Sequence, residues 1–196
     1  MTRIIAGTLG GRRITVPAKG TRPTTDRVRE ALFSRLDHAN ILRGAHVLDL
    51  FAGSGALGLE SLSRGSAAAT FVESGPQAAR VLQANIQELG MGGRAVLVRE
   101  RALPFLRRGG PSSKVDLVFM DPPYDIPRGD LADVLGALEG ALSPDATVVV
   151  EWSTRAPIPD WPHFLTAVAR KQYGDTVLHY AEHDHSIGAA GSADAT

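Results

Sequence analysis

The sequence predicts an α/β fold in which a mostly parallel β-sheet carries helices on both faces. From residue 45 onward, short apolar runs typical of buried strands alternate with segments of helical periodicity. Turns that contain glycine or begin with an acidic residue follow several of these runs, where parallel strands place ligand sites. The chain of 196 residues, with 43% apolar and 21% charged side chains, fits one globular domain with a small appendage.

The first 43 residues predict an extension with its own pattern. Residues 3–17 contain two short β segments around Gly10-Gly11, which is a hairpin signal. A helix then begins within residues 22–33. Its predicted apolar face comprises Val28, Leu32 and Leu36.

The remaining elements follow in βα order. The predicted strands are 47–51, 68–73, 95–98, 115–120 and 147–151, with two further β-like runs at 165–170 and 176–179. The predicted helices are 57–62, 76–89, 103–108 and 131–142. Residues 44–183 therefore form the main domain, and the Gly-, Ala- and Ser-rich residues 184–196 are expected to be a disordered tail.

Charge is distributed unevenly along the chain although the net charge is zero. Residues 1–43 hold nine Lys/Arg and three Asp/Glu, whereas residues 44–196 hold 12 and 18. A basic extension on an acidic body suggests contact with a polyanion. On charge alone, a solvated basic face explains the asymmetry equally well.

Composition excludes several classes of site. The chain has no cysteine, so disulfides, thiolate metal sites and cysteine nucleophiles are absent. His179, His183 and His185 lie close in sequence but lack a convincing further ligand, so we expect no metal site. No apolar run approaches the ~18 residues of a membrane span, and no signal peptide is evident, so we expect a cytoplasmic protein without membrane contact.

A glycine-rich motif, Asp49-Leu-Phe-Ala-Gly-Ser-Gly55, follows the first strand of the main domain. Gly53 and Gly55 allow a sharp turn and close approach of a ligand to the backbone. Residues 53–58 also fit the dinucleotide fingerprint G-x-G-x-x-G, and Glu73 ends the next strand where a ribose-binding acid is expected. S-adenosylmethionine also carries a ribose, so this motif leaves both cofactors open.

Asp49 favours S-adenosylmethionine. A carboxylate at the end of the first strand would repel the phosphates of a dinucleotide. The same carboxylate would attract the amino group or the sulfonium of S-adenosylmethionine.

A second motif, Asp121-Pro-Pro-Tyr124, follows the strongly apolar fourth strand of the main domain. The prolines stiffen the turn, and the Asp121 carboxylate and Pro122 carbonyl are placed to accept both N–H groups of an exocyclic amino group. This would direct the nitrogen lone pair toward a methyl donor, and Tyr124 would stack on a base turned out of its helix. A plain β-turn is the alternative interpretation of the motif by itself.

Taken together, the motifs resemble a known family. Residues 49–60 and 121–124 resemble the cofactor and amino-methyltransferase motifs of class I S-adenosylmethionine-dependent enzymes. Arg3-Ile-Ile-Ala-Gly7, Gly11-Arg12 and residues 22–33 are more specific, and are similar to the bacterial RsmD-type 16S rRNA (guanine-N2)-methyltransferases. The resemblance covers residues 2 to about 180.

The resemblance implies a Rossmann-like, mostly parallel seven-stranded sheet with a small basic N-terminal β-hairpin. It implies methyl transfer from S-adenosylmethionine to N2 of one guanine of 16S rRNA, in the 30S subunit or an assembly intermediate. The basic extension, residues 1–43, would bind this RNA, and residues 44–183 would be the methyltransferase domain of a monomer.

The same resemblance assigns site residues. The catalytic set is Asp121, Pro122, Pro123 and Tyr124. The cofactor-binding set is Thr24, Thr25, Arg27, Asp49, Phe51, Ala52, Gly53, Ser54, Gly55, Glu73, Arg101 and Ala102. The RNA-binding set is Arg3, Arg12, Arg13, Arg22 and Arg29. Arg101-Ala102 departs from the family pattern, which has Asn or Asp before the alanine, so the adenine would be held by the Ala102 N–H or by stacking of Arg101.

Three other functions remain as alternatives. The Asp-Pro-Pro-Tyr motif also occurs in DNA adenine-N6 and cytosine-N4 methyltransferases. An NAD(P)-dependent oxidoreductase would use the same glycine loop but leaves residues 121–124 and the basic extension unexplained. A non-catalytic RNA-binding module would not need Asp121, Gly53 and Gly55 together.

Overall fold

The computed structural model describes residues 1–17, 26–123 and 125–184. The expectations for Arg22, Thr24, Thr25 and Tyr124, and for the tail beyond Asp184, fall outside these residues.

Nine strands and five α-helices are present in this described part of the chain. In chain order they are β1 (Thr2–Arg3), β2 (Arg13–Ile14), α1 (Asp26–His38), β3 (His46–Leu50), α2 (Ala56–Ser63), β4 (Ala68–Val72), α3 (Pro76–Glu88), β5 (Ala95–Val98), α4 (Ala102–Arg107), β6 (Val115–Met120), α5 (Arg128–Gly136), β7 (Leu142–Ser153), β8 (Leu165–Tyr173) and β9 (Thr176–His183), with a 3-10 turn at Glu139–Ala141. None of these helices is long and apolar enough to cross a membrane.

The main sheet has seven strands in the order β5-β4-β3-β6-β7-β9-β8. Its first five strands pair in parallel, whereas β9 is antiparallel to both of its neighbours. From β3 the chain adds β4 and β5 on one side of the sheet. It then returns to place β6 on the other side of β3, and β7 follows outward from β6. A crevice forms at such a switch point, here between β3 and β6, and α/β proteins bind ligands there. The predicted mostly parallel seven-stranded sheet and the N-terminal antiparallel hairpin of β1 and β2 are confirmed.

The alternation of side chains along the strands divides the core into two layers. In β6, Leu117 and Phe119 pack with α1, α2 and α3, whereas Val118 and Met120 pack with α4 and α5. We call these two sides the α1–α3 face and the α4–α5 face. The predicted helical face of α1, formed by Val28, Leu32 and Leu36, is buried in the α1–α3 layer.

The N-terminal hairpin is fastened to the α1–α3 face through its backbone. Ile4 and Ile14 are buried in the core, and the N–H groups of Ile5 and Ala6 donate to the fully buried Glu60 carboxylate at 2.6 and 3.0 Å. The Glu60 carboxylate also accepts the Arg64 Nε–H at 2.7 Å.

Two further side chains complete this attachment. The Ser63 Oγ donates to the Ala6 carbonyl at 2.6 Å. The buried Asn85 amide holds both backbone groups of Thr15 at 2.9 Å and donates to the Ser54 carbonyl at 2.9 Å. The hairpin is therefore bound to the helices that frame the glycine loop.

Several boundaries differ from the sequence-based expectations, most of all those of α5 and β7. The helix predicted for 131–142 lies at Arg128–Gly136, and β7 begins at Leu142 rather than at 147. Ser143 explains the early start of β7, because its Oγ donates to the Val115 carbonyl at 3.0 Å and lies 2.7 Å from the Asp116 carboxylate. Both partners belong to β6, so this part of the chain is bound to the neighbouring strand.

We predict that Glu60→Gln loosens the hairpin. An amide can accept only at its single oxygen, so at least one of the buried N–H groups of Ile5 and Ala6 loses its partner, which costs roughly 1–3 kcal/mol. Urea denaturation should show this loss, and hydrogen exchange should quicken at Ile5 and Ala6. The control is Glu88→Gln at an exposed side chain of α3. Equal stability and exchange in both variants would contradict this role of Glu60.

Candidate active site

The glycines of the loop after β3 differ in their surroundings: Gly53 faces open space, whereas Gly55 and Gly58 are closely packed. A Cβ built on Gly53 would meet no atom within 4 Å, whereas a Cβ on Gly55 would lie 2.3 Å from Leu82 and one on Gly58 would lie 2.3 Å from the Phe71 ring. Gly55 and Gly58 therefore permit close packing of α2 against α3 and β4. Phe51 turns the chain with a positive φ of 62°, and the buried Ala52 and Ser54 complete the loop.

The side chain of Asp49, a residue of β3, lies at the N-terminal end of α2. Its buried Oδ2 accepts the Gly58 N–H at 2.9 Å, on the α1–α3 face of β3. Burial raises the pKa of Asp49 to about 8, the Gly58 hydrogen bond opposes this rise, and the Glu73 carboxylate adds to it. In a dinucleotide-binding loop a phosphate sits at the start of this helix. An ionised carboxylate in that position makes a phosphate unfavourable, whereas a bound cation favours the ionised form.

Glu73 follows β4 and bonds to the glycine loop directly. Its two carboxylate oxygens accept the N–H groups of Gly53 at 2.8 Å and Gly75 at 2.6 Å. A carboxylate has about four acceptor positions, so two remain for hydroxyl donors. This geometry places the expected ribose-binding acid beside the open space at Gly53.

Asp121 lies at the end of β6, on the other side of the crevice from the glycine loop. Leu50 of β3 pairs with Met120, which sets Asp121 level with Phe51. Burial raises the pKa of Asp121 well above its ordinary value, and the charges of Glu151 and Asp49 raise it further. Pro122 is buried and Pro123 is exposed, and the Pro123 carbonyl closes the turn by accepting the Ile126 N–H at 3.0 Å.

Glu151 is a candidate site residue that the sequence analysis did not single out. It lies in β7, where Val150 pairs with Met120, so Glu151 is level with Asp121 on the neighbouring strand. Its neighbour Val150 packs in the α4–α5 layer, so Glu151 lies on the α1–α3 face, with an exposed fraction of 5%. An acidic residue that ends the apolar run Thr147-Val-Val-Val150 was the available signal.

Arg101 and Ala102 stand at the start of α4. Arg101 is exposed and precedes the helix, and Ala102 is its buried first residue. The Ala102 N–H is among the donors at a helix start that have no partner within the helix. It follows β5, whose last residue pairs with Val72 just before Glu73, and its contact to adenine stays a prediction.

Arg27 lies away from this group. It lines a cleft with Val28, Gln172, Tyr173 and Gly174, between the start of α1 and the turn that joins β8 to β9. The cleft is on the side of β7 opposite to Glu73 in the strand order, so the structure does not bring Arg27 together with the other cofactor-binding candidates.

The arginines expected to bind RNA divide into two groups. Arg3, Arg12 and Arg13 are exposed on the hairpin, and Arg12 Nη2 donates to the Glu88 carbonyl at 2.9 Å. Arg29 is 1% exposed, and its guanidinium bonds at 2.7 Å to the Arg3 carbonyl and at 2.9 Å to Asp26. The expectation that Arg29 contacts RNA is wrong for this structure, because its charge is used inside the protein to join α1 to β1.

Comparison with known proteins identifies the family. The family model described as "Conserved hypothetical protein 95" matches residues 2–182. The chain belongs to this family. It includes the RsmD-type enzymes, so the resemblance inferred from the motifs is confirmed.

Members of the family include named relatives from two bacteria. The ribosomal RNA small subunit methyltransferase D of Escherichia coli K12 is 42% identical over 163 residues, which cover 82% of this chain and 79% of the relative. The protein of the same name from Haemophilus influenzae is 37% identical over 158 residues, covering 80% and 81%.

Solved structures share the fold. The Escherichia coli protein yhhF superposes with a TM-score of 0.82 at 38% identity, covering 93% of this chain and 97% of that one. TrmN from Thermus thermophilus, at 20% identity, shares the fold with a TM-score of 0.63 over 80% of this chain and 48% of its own. The expected class I methyltransferase fold is thereby confirmed.

We predict that Asp49→Asn changes how stability depends on pH. Because the folded pKa of about 8 lies above the ordinary value of 3.8, the folded state binds the extra proton between these values, and stability falls as pH rises from about 4 to about 8. The asparagine variant lacks this contribution, so its stability relative to wild type should increase across the same range. Urea denaturation at pH 5 and pH 8 measures the difference, and an equal offset at both pH values would contradict the burial of an ionisable Asp49.

Proposed function

We propose that this chain transfers the methyl group of S-adenosylmethionine to N2 of a specific guanine in 16S rRNA. The observation that carries the proposal is the position of Asp121-Pro-Pro across the switch-point crevice from the glycine loop, on a sheet edge lined with carboxylates. The relatives named ribosomal RNA small subunit methyltransferase D support an RNA substrate. The proposed substrate form is the 30S subunit or an assembly intermediate, and the proposed working form is a monomer.

The residues at the crevice fit S-adenosylmethionine. Glu73 accepts hydrogen bonds from the ribose hydroxyls, and the open space at Gly53 admits the sugar and the methionine chain. Asp49 and Asp121 lie where a cationic group compensates their unfavourable burial. The cofactor supplies the electrophilic methyl group when bound.

Asp121 and Pro122 orient the acceptor base. The Asp121 carboxylate and the Pro122 carbonyl accept the two N–H groups of the guanine amino group, so that its lone pair points toward the methyl donor. The nitrogen becomes acidic as it bonds to carbon, and Asp121 accepts the proton, directly or through water. A cation bound beside Asp121 lowers the pKa of this carboxyl and favours the ionised form that the step requires.

The hairpin binds RNA through its exposed arginines. Arg3, Arg12 and Arg13 present guanidinium groups on an element fixed to α2 and α3. Such contacts to phosphates position the RNA without reading its sequence.

The test is methyl transfer to defined nucleic acids. Wild type and Asp121→Ala receive radiolabelled S-adenosylmethionine with small subunits lacking their native methylations, naked 16S rRNA, or duplex DNA. We expect label in N2-methylguanosine of the subunit and a fall of about 10³-fold in the variant. S-adenosylhomocysteine should bind both proteins similarly, and Asp125→Asn, at an exposed side chain in the following turn, is the control.

The other outcomes separate the alternatives. Label only in N6-methyladenine or N4-methylcytosine of DNA would replace the RNA assignment. Label in RNA that is insensitive to Asp121→Ala would remove Asp121 from the mechanism. Binding of NAD(P) without binding of S-adenosylhomocysteine would overturn the proposal as a whole.

We predict that Glu151→Gln moves the pH dependence of methyl transfer toward lower pH. The rate rises with pH as Asp121 ionises, and the negative charge of Glu151 raises the pKa of Asp121. Removing that charge lowers this pKa, so the rising limb should shift to lower pH. Single-turnover rates across a pH series measure the limb. Glu182→Gln, exposed on β9, is the control, and identical limbs in both variants would exclude the coupling.

A further inference from the structure

A cleft of about 360 Å³ lies between the start of α1 and the turn joining β8 to β9. It is lined by Arg27, Val28, Gln172, Tyr173 and Gly174. Its volume is at the lower end of the range of small-molecule sites, ~300–1,000 Å³. The cleft thus suits one nucleotide rather than a double helix.

The strand register places this cleft at the same edge of the sheet as Asp121 and Glu151. Thr176 at the start of β9 pairs with Ser153 at the end of β7, and Leu178 pairs with Glu151. The turn of residues 173–176 therefore projects beyond the carboxyl end of β7. Seen along the strand order, Glu73 lies on one side of Asp121 and the cleft lies on the other.

The cleft is also on the same face of the sheet as these carboxylates. Val28 and Leu178 belong to the core of the α1–α3 face, and Tyr173 packs against that core. Asp49 and Glu151 lie on this face too, by the alternation of β3 and β7. The cleft consequently continues the candidate active site on the side away from the cofactor.

Its side chains have the chemistry of a single-stranded nucleic-acid site. Arg27 is exposed and has no ion pair within residues 1–17, 26–123 and 125–184. Tyr173 is partly exposed, and the Gln172 amide reaches across the turn to the Gly174 carbonyl at 3.2 Å. Proteins hold unpaired nucleotides by stacking bases on aromatic rings and by pairing phosphates with arginine.

We propose that this cleft binds an unpaired nucleotide adjacent to the methylated one, with Tyr173 stacking on its base and Arg27 contacting its phosphate. The inference rests on the proposed function, because it assumes that the substrate is RNA. Glu73 follows β4, and the cleft borders β9. Four strand spacings, about 19 Å, separate these two strands, so the position of Arg27 suits RNA better than the ribose of the cofactor. The cleft and the basic hairpin then contact the substrate on different sides of the target base.

The experiment compares Arg27→Gln, Tyr173→Ala and Tyr173→Phe with a matched control. The control is Lys114→Gln, at an exposed lysine just before β6, which lies at the opposite edge of the sheet. Affinity for unmethylated small subunits is measured at several salt concentrations, and S-adenosylhomocysteine binding is measured by calorimetry. The methyl-transfer rate of each variant is also measured, with saturating S-adenosylmethionine.

We expect Arg27→Gln to weaken subunit binding about tenfold and to reduce the salt slope by about one. Tyr173→Ala should weaken binding about tenfold with little change in salt slope, whereas Tyr173→Phe should stay within about twofold of wild type because it keeps the stacking surface. Lys114→Gln should match wild type, and all four variants should bind S-adenosylhomocysteine normally.

Each contrary result has a distinct meaning. If Arg27→Gln and Tyr173→Ala bind and methylate subunits like wild type, the cleft is not an RNA site and the proposed function stands. If Arg27→Gln loses S-adenosylhomocysteine binding instead of RNA affinity, Arg27 serves the cofactor and the inference is overturned. If wild type methylates no RNA, the proposed function fails first. Because Arg27 is exposed, Arg27→Gln should fold normally, and it tests the proposal even if Tyr173→Ala is unstable.

Discussion

The burial of carboxylates on one face of the sheet, together with their mutual repulsion, is the constraint on which the site depends. Asp49, Asp121 and Glu151 lie on adjacent strands at the same edge, and the charges of Asp49 and Glu151 both raise the pKa of Asp121. Burying several like charges is unfavourable unless they are neutralised or solvated. Burial raises the pKa of Asp49 and Asp121, and a cation bound beside them would lower it and favour the ionised forms.

Backbone N–H groups limit this cost at Asp49 and Glu73. Gly58 donates to Asp49, and Gly53 and Gly75 donate to Glu73. These neutral donors add no positive charge of their own, so a bound cation keeps its attraction to Asp49 or Glu73 when the carboxylate is ionised. Glycine is required at positions 55 and 58 for packing, and this same packing brings the start of α2 close enough to Asp49.

Local patterns predicted much of the fold and of the site. The glycine loop, Glu73 and Asp121 follow strands whose apolar runs are unambiguous, so their meeting at one edge follows from parallel pairing. The role of Arg29 was predicted wrongly, and Glu151 was not noticed. Their roles depend on which elements pack together, and a charged residue in a helix or at a strand end has the same sequence signature whether buried or exposed.

The early start of β7 illustrates the same limit on a smaller scale. A serine followed by proline and aspartate is typical of a turn, yet Ser143 bonds to two residues of β6 and brings the chain into the sheet. Neither partner is near it in sequence. Tertiary hydrogen bonds therefore decide a boundary that propensity assigns to a loop.

The attachment of the hairpin has a consequence for substrate geometry. Glu60, Ser63 and Asn85 bind its backbone to the same two helices that frame the glycine loop, and Asn85 touches both the hairpin and the loop. The distance from the basic hairpin to the glycine loop is thus fixed by the buried interior of the protein. In the proposed function, an RNA bound by the hairpin presents for methylation only a nucleotide that the fold of the RNA places at this fixed distance.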